Sequence, residues 1–379
     1  MNRTPLPIGL VITELDVGGA EQCLVNIACS IDRQRFIPHV FVLSGPPRAP
    51  YDELARRLRS QQIPTIYLGL TRSWQFLQAV GRLRRQLQEH RLRVVLSFLF
   101  HANVVAAAAV NKVPDISLAC GIRVADPAVW RQHLERRAVK RADRVICVSQ
   151  SVADFVRTKL HVSSDLLQVI PNGIALNEID ASAAADLTRF GLPPGRRALT
   201  VVGRLDYQKG IDWLLELIPR LLDKLPTHDL LLVGRGPARS DLEKQAARLG
   251  IAERVHFAGW QPKIPAILKA SDLLLLPSRW EGMPNVLLEA MACHLPVVCR
   301  NAEGVREVLG PLAPAQTAAD NDPQVFIDTV LAILNTKQLR AHLAAENRRR
   351  VANFFSRQAM IQAYETLFQT LGAPSESVG

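Results

Sequence analysis

The stretch Leu276-Pro277-Ser278-Arg279-Trp280-Glu281-Gly282-Met283-Pro284-Asn285-Val286-Leu287-Leu288-Glu289-Ala290 reads as the end of a buried strand, a polar loop and the start of a helix. Pro284 suits a first helical turn, where its missing N–H would have no partner anyway. The backbone N–H groups of Met283, Asn285 and Val286 then lie at a helix start, where nothing inside the helix accepts them. Such a place favours an anion. Glu281 falls in the loop and Glu289 in the second turn. Two carboxylates cannot both sit on one anion; they fit hydroxyls on either side of it, such as those of a ribose and a sugar. Spacing alone also allows Glu281 to cap the helix and Glu289 to be a solvated helix residue.

Working outward, the same strand-then-helix unit recurs. Short apolar, β-branched runs at Ala198–Gly203, Leu230–Val233, Val255–Ala258, Asp272–Leu276 and Pro296–Cys299 alternate with helical periodicity. An earlier set runs through Ile8–Thr13, His39–Leu43, Thr65–Leu68, Val94–Phe98, Ile116–Ala119 and Arg144–Val148. This alternation predicts an α/β protein with two doubly wound parallel sheets, each covered by helices on both faces. At 379 residues the chain is long enough for two such cores. The reading places a first domain at residues 1–178, a linker rich in Ala, Asp, Pro and Gly at 179–197, a second domain at 198–355 and a terminal helix at 356–372. Two such sheets imply a cleft between them. Ligands in these sheets sit beyond the carboxyl ends of the strands, so residues just after strands carry the information.

Arg204 and Lys209 bracket the loop after Ala198–Gly203. Arg can hold oxygens bidentately and Lys supplies a point charge, so the pair suits a diphosphate; ordinary surface charge is the competing reading. Gly18-Gly19-Ala20-Glu21 follows the first strand and opens a helix, which lets a ligand approach the backbone or merely makes a tight turn. His101 follows the fourth strand, where it could hydrogen-bond a substrate hydroxyl or be structural. Asp320-Asn321-Asp322 is a DxD, but Pro323 and the helical run after it make Asp322 a cap instead of a metal ligand. Leu232-Val233-Gly234-Arg235-Gly236-Pro237 resembles a nucleotide loop without completing GxGxxG or GxxxxGK[ST]. No metal site is expected.

Net charge is +11 and uneven: 23 Lys and Arg against 14 Asp and Glu up to Glu178, then 23 against 21. A basic first half suggests an acidic partner. Arg82, Arg84, Arg85, Arg91 and Arg93, on the helical stretch Trp74–Arg93, suggest an anionic membrane surface; a solvated basic face is the alternative. Nucleic acid is not expected, because no binding motif is present and aromatic residues do not interleave with the basic ones. Val94–Val110 is apolar but too short and too polar to span a bilayer. The start of the chain lacks a signal-peptide pattern. Cys23, Cys29, Cys120, Cys147, Cys293 and Cys299 form no framework and read as free thiols. The expected location is the cytoplasm, peripheral to the inner face of the cell membrane.

Gly18-Gly19-Ala20-Glu21, Pro171-Asn172-Gly173-Ile174, Val202-Gly203-Arg204-Leu205 with Lys209-Gly210, Phe257-Ala258-Gly259, and Glu281-Gly282-Met283-Pro284-Asn285 ending in Glu289-Ala290 together resemble the group 1, family-four retaining glycosyltransferases of GT-B fold. The resemblance covers nearly the whole chain, and the E-x7-E element with the Arg204/Lys209 pair is its most specific part. It implies two Rossmann-like domains facing across a cleft, with a nucleotide-sugar held mainly by the second. It implies that Arg204 and Lys209 neutralise the diphosphate and that Gly19, Met283, Asn285 and Val286 lie near the phosphates. Glu289 would bind the ribose, Glu281 would lie by the donor sugar, Gly259 would border the base and His101 would contact the transferred sugar. Catalysis would then fall to Glu281, Arg204, Lys209 and His101, with no metal or other cofactor. Pro284 and Ala302-Glu303-Gly304 depart from the usual glycines, which alters the donor and sugar contacts. The implied acceptor is a glycan or lipid-linked glycan in surface polysaccharide synthesis, and the donor UDP-linked ahead of GDP-linked. A nucleotide-sugar epimerase of the same fold and a GDP-mannose-dependent mannosyltransferase are the competing activities.

Overall fold

The computed structural model describes residues 4–373 except 17, 71–74, 303, 320 and 321. The chain divides into two compact units, Met1–Asn172 with Gln358–Gly379, and Gly173–Arg357. Of the features read from sequence, Val17, Trp74, Glu303, Asp320, Asn321 and most of the tail fall outside the described residues.

Among the described residues the first unit carries seven parallel strands: β1 (Leu6–Ile12), β2 (Phe36–Val42), β3 (Thr65–Tyr67), β4 (Val94–Phe98), β5 (Ser117–Ile122), β6 (Arg144–Cys147) and β7 (Leu167–Val169). Their spatial order is β3-β2-β1-β4-β5-β6-β7. The second unit carries β8 (Arg197–Val202), β9 (His228–Val233), β10 (Val255–Gly259), β11 (Leu273–Leu276), β12 (Val297–Arg300) and β13 (Thr317–Ala318), ordered β10-β9-β8-β11-β12-β13. All pairings are parallel. Each unit is therefore a doubly wound Rossmann-like sheet, and the strand order reverses between β1 and β4 and between β8 and β11. Central strands need apolar residues on both faces, which is why Val94–Phe98 and Leu273–Leu276 are buried throughout.

The apolar run 94–110 is cut in two by a turn at Leu99: its first part is β4 and the rest is the helix Phe100–Val110. Among the described residues no helix is long and apolar enough to cross a membrane. The stretch 179–197, read from sequence as a linker, packs onto the second unit. Leu192 is buried there with Ala198 and Leu231, and Leu187 and Phe190 lie against them. The chain changes units earlier, after Asn172, and returns after Arg357. The terminal helix Arg357–Gly372 places Met360, Ile361, Tyr364, Leu367 and Phe368 in the apolar core of the first unit with Ile8, Leu24 and Phe36.

Candidate functional site

In the second unit, the loops after β8 and β11 flank the point where strand order reverses. The Asp206 carboxylate accepts from the Lys209 N–H at 3.3 Å and closes the short turn Tyr207–Lys209. That turn aims the Lys209 side chain at the second loop, where its ammonium donates to Glu281 Oε1 at 2.5 Å. The Ser278 hydroxyl donates to the same oxygen at 2.7 Å. Both charged side chains are mostly shielded, 19% and 7% exposed, so their attraction is little screened. The ammonium has three donors, and this bond uses one.

Arg279 stitches the two loops. It holds the Asp212 carboxylate with two bonds of 2.8 and 2.7 Å, donates to the Tyr207 carbonyl at 2.6 Å and stacks 3.9 Å from the Tyr207 ring centre. Its own N–H bonds the Gln208 carbonyl, and the Gln208 amide bonds the Trp280 carbonyl at 3.0 Å. Close backbone contacts tighten the frame further. Gly234, at φ +144°, leaves no room for a Cβ, which would stand 1.8 Å from the Gly203 carbonyl oxygen. Gly304, at φ +77°, is pressed the same way against the Gly282 carbonyl. The glycines of 232–237 thus serve loop packing, which explains why that stretch looks like a nucleotide loop without completing one.

The helix Asn285–Ala292 begins after Pro284, which stands one position ahead of the first turn assigned from sequence. Its cap makes no side-chain bond, so Glu281 is not the cap. Asn285 and Val286 are its first residues, and Met283 is buried just before it. Glu289 lies in the second turn and makes no side-chain hydrogen bond or ion pair with the described residues. Burial pushes its pKa up to about 7. Arg204 is 68% exposed, and among the described residues its side chain is held only by a 3.6 Å contact to Asp206. No hydrogen bond or ion pair joins Arg204 or Glu289 to the Lys209–Glu281 couple. Gly259 ends β10 at φ +66° with open space where a Cβ would stand.

In the first unit, Gly18 caps the helix Gly19–Ser30, and the Glu21 carboxyl folds back over it; a Cβ on Gly18 would come within 2.3 Å of Glu21 Oε2. Burial raises the Glu21 pKa to about 7, with Glu14 and Asp16 pushing the same way and Arg123 opposing. Arg123, just past β5, lies 4.8 Å over the Phe98 ring and donates to the Asn172 side chain. Sequence reading did not single out Arg123, Ser278 or Arg279; for Arg123 the available signal was its place at a strand's carboxyl end. His101 is exposed in the first turn after Leu99, whose φ of +76° is strained for a side chain of that size. Partial desolvation, then the Arg131 charge, holds the His101 pKa below the ordinary value.

Asp322 caps the helix Pro323–Asn335 through the N–H groups of Gln324 and Val325. Among the described residues no group of three or more His, Cys, Asp or Glu could hold a metal ion. Three of the five arginines read from sequence as a membrane face have acceptors within the protein. The helix of that stretch runs Phe76–Glu89, where Arg82 donates to the Leu68 carbonyl, Arg84 to the Ala108 and Ala109 carbonyls and Arg85 to Glu89.

Two family profiles match, Glycosyltransferase Family 4 over residues 17–178 and Glycosyl transferases group 1 over residues 185–350. The chain is 27% identical over 310 residues to a 2-deoxystreptamine glucosyltransferase of Streptomyces kanamyceticus, covering 76% of this chain and 78% of that protein. It is 30% identical over 229 residues to the UDP-Gal:alpha-D-GlcNAc-diphosphoundecaprenol alpha-1,3-galactosyltransferase of Escherichia coli, covering 59% of each. The fold matches Anabaena HepE, solved in complex with UDP-glucose, with a TM-score of 0.82, 21% identity and 96% and 100% of the two chains covered. With both halves matched in order and both sheets wound as Rossmann-like units, the chain belongs to the group 1, family-four glycosyltransferases of GT-B fold.

Proposed function

We propose that this glycosyltransferase moves a sugar from a nucleotide-sugar, UDP-linked ahead of GDP-linked, to a glycan or lipid-linked glycan, with retention of anomeric configuration. The observation that carries the reading is the shielded Lys209–Glu281 couple at the strand-order reversal of the second unit, beside the start of the helix Asn285–Ala292. The similar proteins, a glucosyltransferase and a UDP-galactose-dependent galactosyltransferase, support the donor class.

In this reading the bond between the sugar's anomeric carbon and the diphosphate oxygen breaks. The acceptor oxygen bonds that carbon on the same face, and its proton passes to the departing phosphate oxygen. Negative charge grows on the diphosphate as the bond breaks. Lys209 offers its remaining N–H groups to that charge, and Arg204 has the freedom to close on it. Glu281 orients a sugar hydroxyl, the unpartnered Glu289 carboxyl takes the ribose hydroxyls, and the space at Gly259 admits the base. His101 is assigned the contact with the transferred sugar that the family resemblance implies. With six free cysteines, the chain fits a reducing cytoplasm.

The test is a panel of UDP- and GDP-sugars screened by thermal shift, followed by NMR of the anomeric proton in the product. A UDP-sugar should raise the melting temperature, and the product anomer should match the donor. Inverted product would refute retention. Stabilisation by GDP-mannose alone would move the donor to the second choice.

A further inference from the structure

We propose that the outward face of the helix Val129–Val139, continued through Lys140 and Arg141, docks the first unit onto an anionic bilayer. The buried side of this helix is set by Glu135, Ala138 and Val139. The opposite side carries Val129, Trp130 and Leu134, which are 63%, 59% and 38% exposed. Single exposed apolar residues are ordinary, but three on one face of one helix, one a tryptophan, are not. Trp130 is fixed in place: its ring meets Phe100 edge-on at 5.7 Å, and the Arg131 guanidinium lies 5.3 Å from it.

The same face turns cationic one turn later, at Arg137, Lys140 and Arg141. None of these three side chains makes an ion pair or hydrogen bond with the described residues. Arg131, by contrast, is neutralised by Asp126 at 2.8 Å. An apolar first half with an interfacial aromatic, followed by unpaired cations, matches the boundary between acyl chains and anionic headgroups. The arginines of Phe76–Glu89 offer this less well, since each already has an acceptor within the protein. The face also adjoins Phe100, whose ring is 5.0 Å from that of His101. If the proposed acceptor is lipid-linked, its head would thus emerge beside the histidine; that link rests on the proposed function, while the docking does not.

The experiment is co-flotation of the whole chain with vesicles of phosphatidylcholine alone or mixed with phosphatidylglycerol. Recovery is expected only on the anionic vesicles and should fall in high salt. Arg137→Glu with Lys140→Glu and Arg141→Glu should weaken partition about a hundredfold. Val129→Ser with Trp130→Ser should weaken it while keeping the salt dependence, and Arg85→Glu should leave it unchanged. A blue shift in tryptophan emission on anionic vesicles should vanish in Trp130→Phe. Recovery on neutral vesicles equal to that on anionic ones, none on either, or a triple variant that floats as the parent does would overturn the proposal. Thermal unfolding of each variant with and without UDP shows that it is folded and reports on the donor site separately, so either reading can fail without the other.

Discussion

The two units use one topology for opposite ends. In the second, the loops at the strand-order reversal are bound to each other by Arg279, Gln208 and glycine contacts too close for a Cβ. In the first, the corresponding place has a folded-back Glu21, a strained Leu99 and an exposed His101 edged by the Phe100 ring. The charge balance runs against the proposed anion site: the half up to Glu178 is +9 and the remainder only +2. A diphosphate is held by a few fixed donors in a shielded place, so placement outweighs net charge. Surplus charge on solvated helices acts over longer range, on surfaces and encounter.

Removing Lys209 should break this contrast most sharply. Lys209→Ala is expected to lower kcat/KM by about 10²–10³ and to abolish stabilisation by UDP. His101→Ala should lower turnover about tenfold or more with UDP stabilisation intact, because it lies in the other unit. Equal loss of UDP stabilisation in both variants would erase the distinction. Next in size is the frame. Gly304→Ala must displace the Gly282 carbonyl or unwind a positive φ, costing about 2–3 kcal/mol and shifting the loop that carries Glu281. A fall in both melting temperature and UDP affinity is expected; a melting temperature equal to the parent's would show that the loop yields freely.

Much of the architecture was legible because buried parallel strands leave uninterrupted apolar runs, as at Val94–Phe98 and Leu273–Leu276. The edge strands Leu167–Val169 and Thr317–Ala318 were not, since two or three residues carry no period. The linker was misplaced because the apolar residues of 185–192 are spaced too irregularly to declare a partner, yet Leu192 finds one in Leu231. In the site, residue types after strand ends pointed to Lys209 and Glu281 separately. Their mutual ion pair depends on a sequence separation of 72 residues, which no local pattern encodes. Arg279 was missed for the same reason: its partner Tyr207 belongs to the loop after β8 and its partner Asp212 to the first turn of the helix that follows.

The smallest expected effect sharpens the comparison through pH. Glu21 in the first unit and Glu289 in the second both have burial-raised pKa values of about 7. A carboxyl whose folded pKa lies above its unfolded one binds extra protons when folded. Its contribution to stability is therefore complete below about 4.5 and is lost as pH rises through about 7. Glu289→Gln removes the charge without the shape, so it should raise stability by about 1 kcal/mol at pH 8 and leave it nearly unchanged at pH 4.5. The same change should weaken UDP binding about tenfold at pH 8, where the parent's carboxylate is ionised and accepts ribose hydroxyls most strongly. Glu21 reaches the same value with Arg123 already opposing it, so Glu21→Gln should show a stability gain of similar size and no change in UDP affinity. Melting curves and UDP titrations at the two pH values separate the cases. A UDP affinity unmoved by Glu289→Gln would remove the ribose role, whatever the melting curves do.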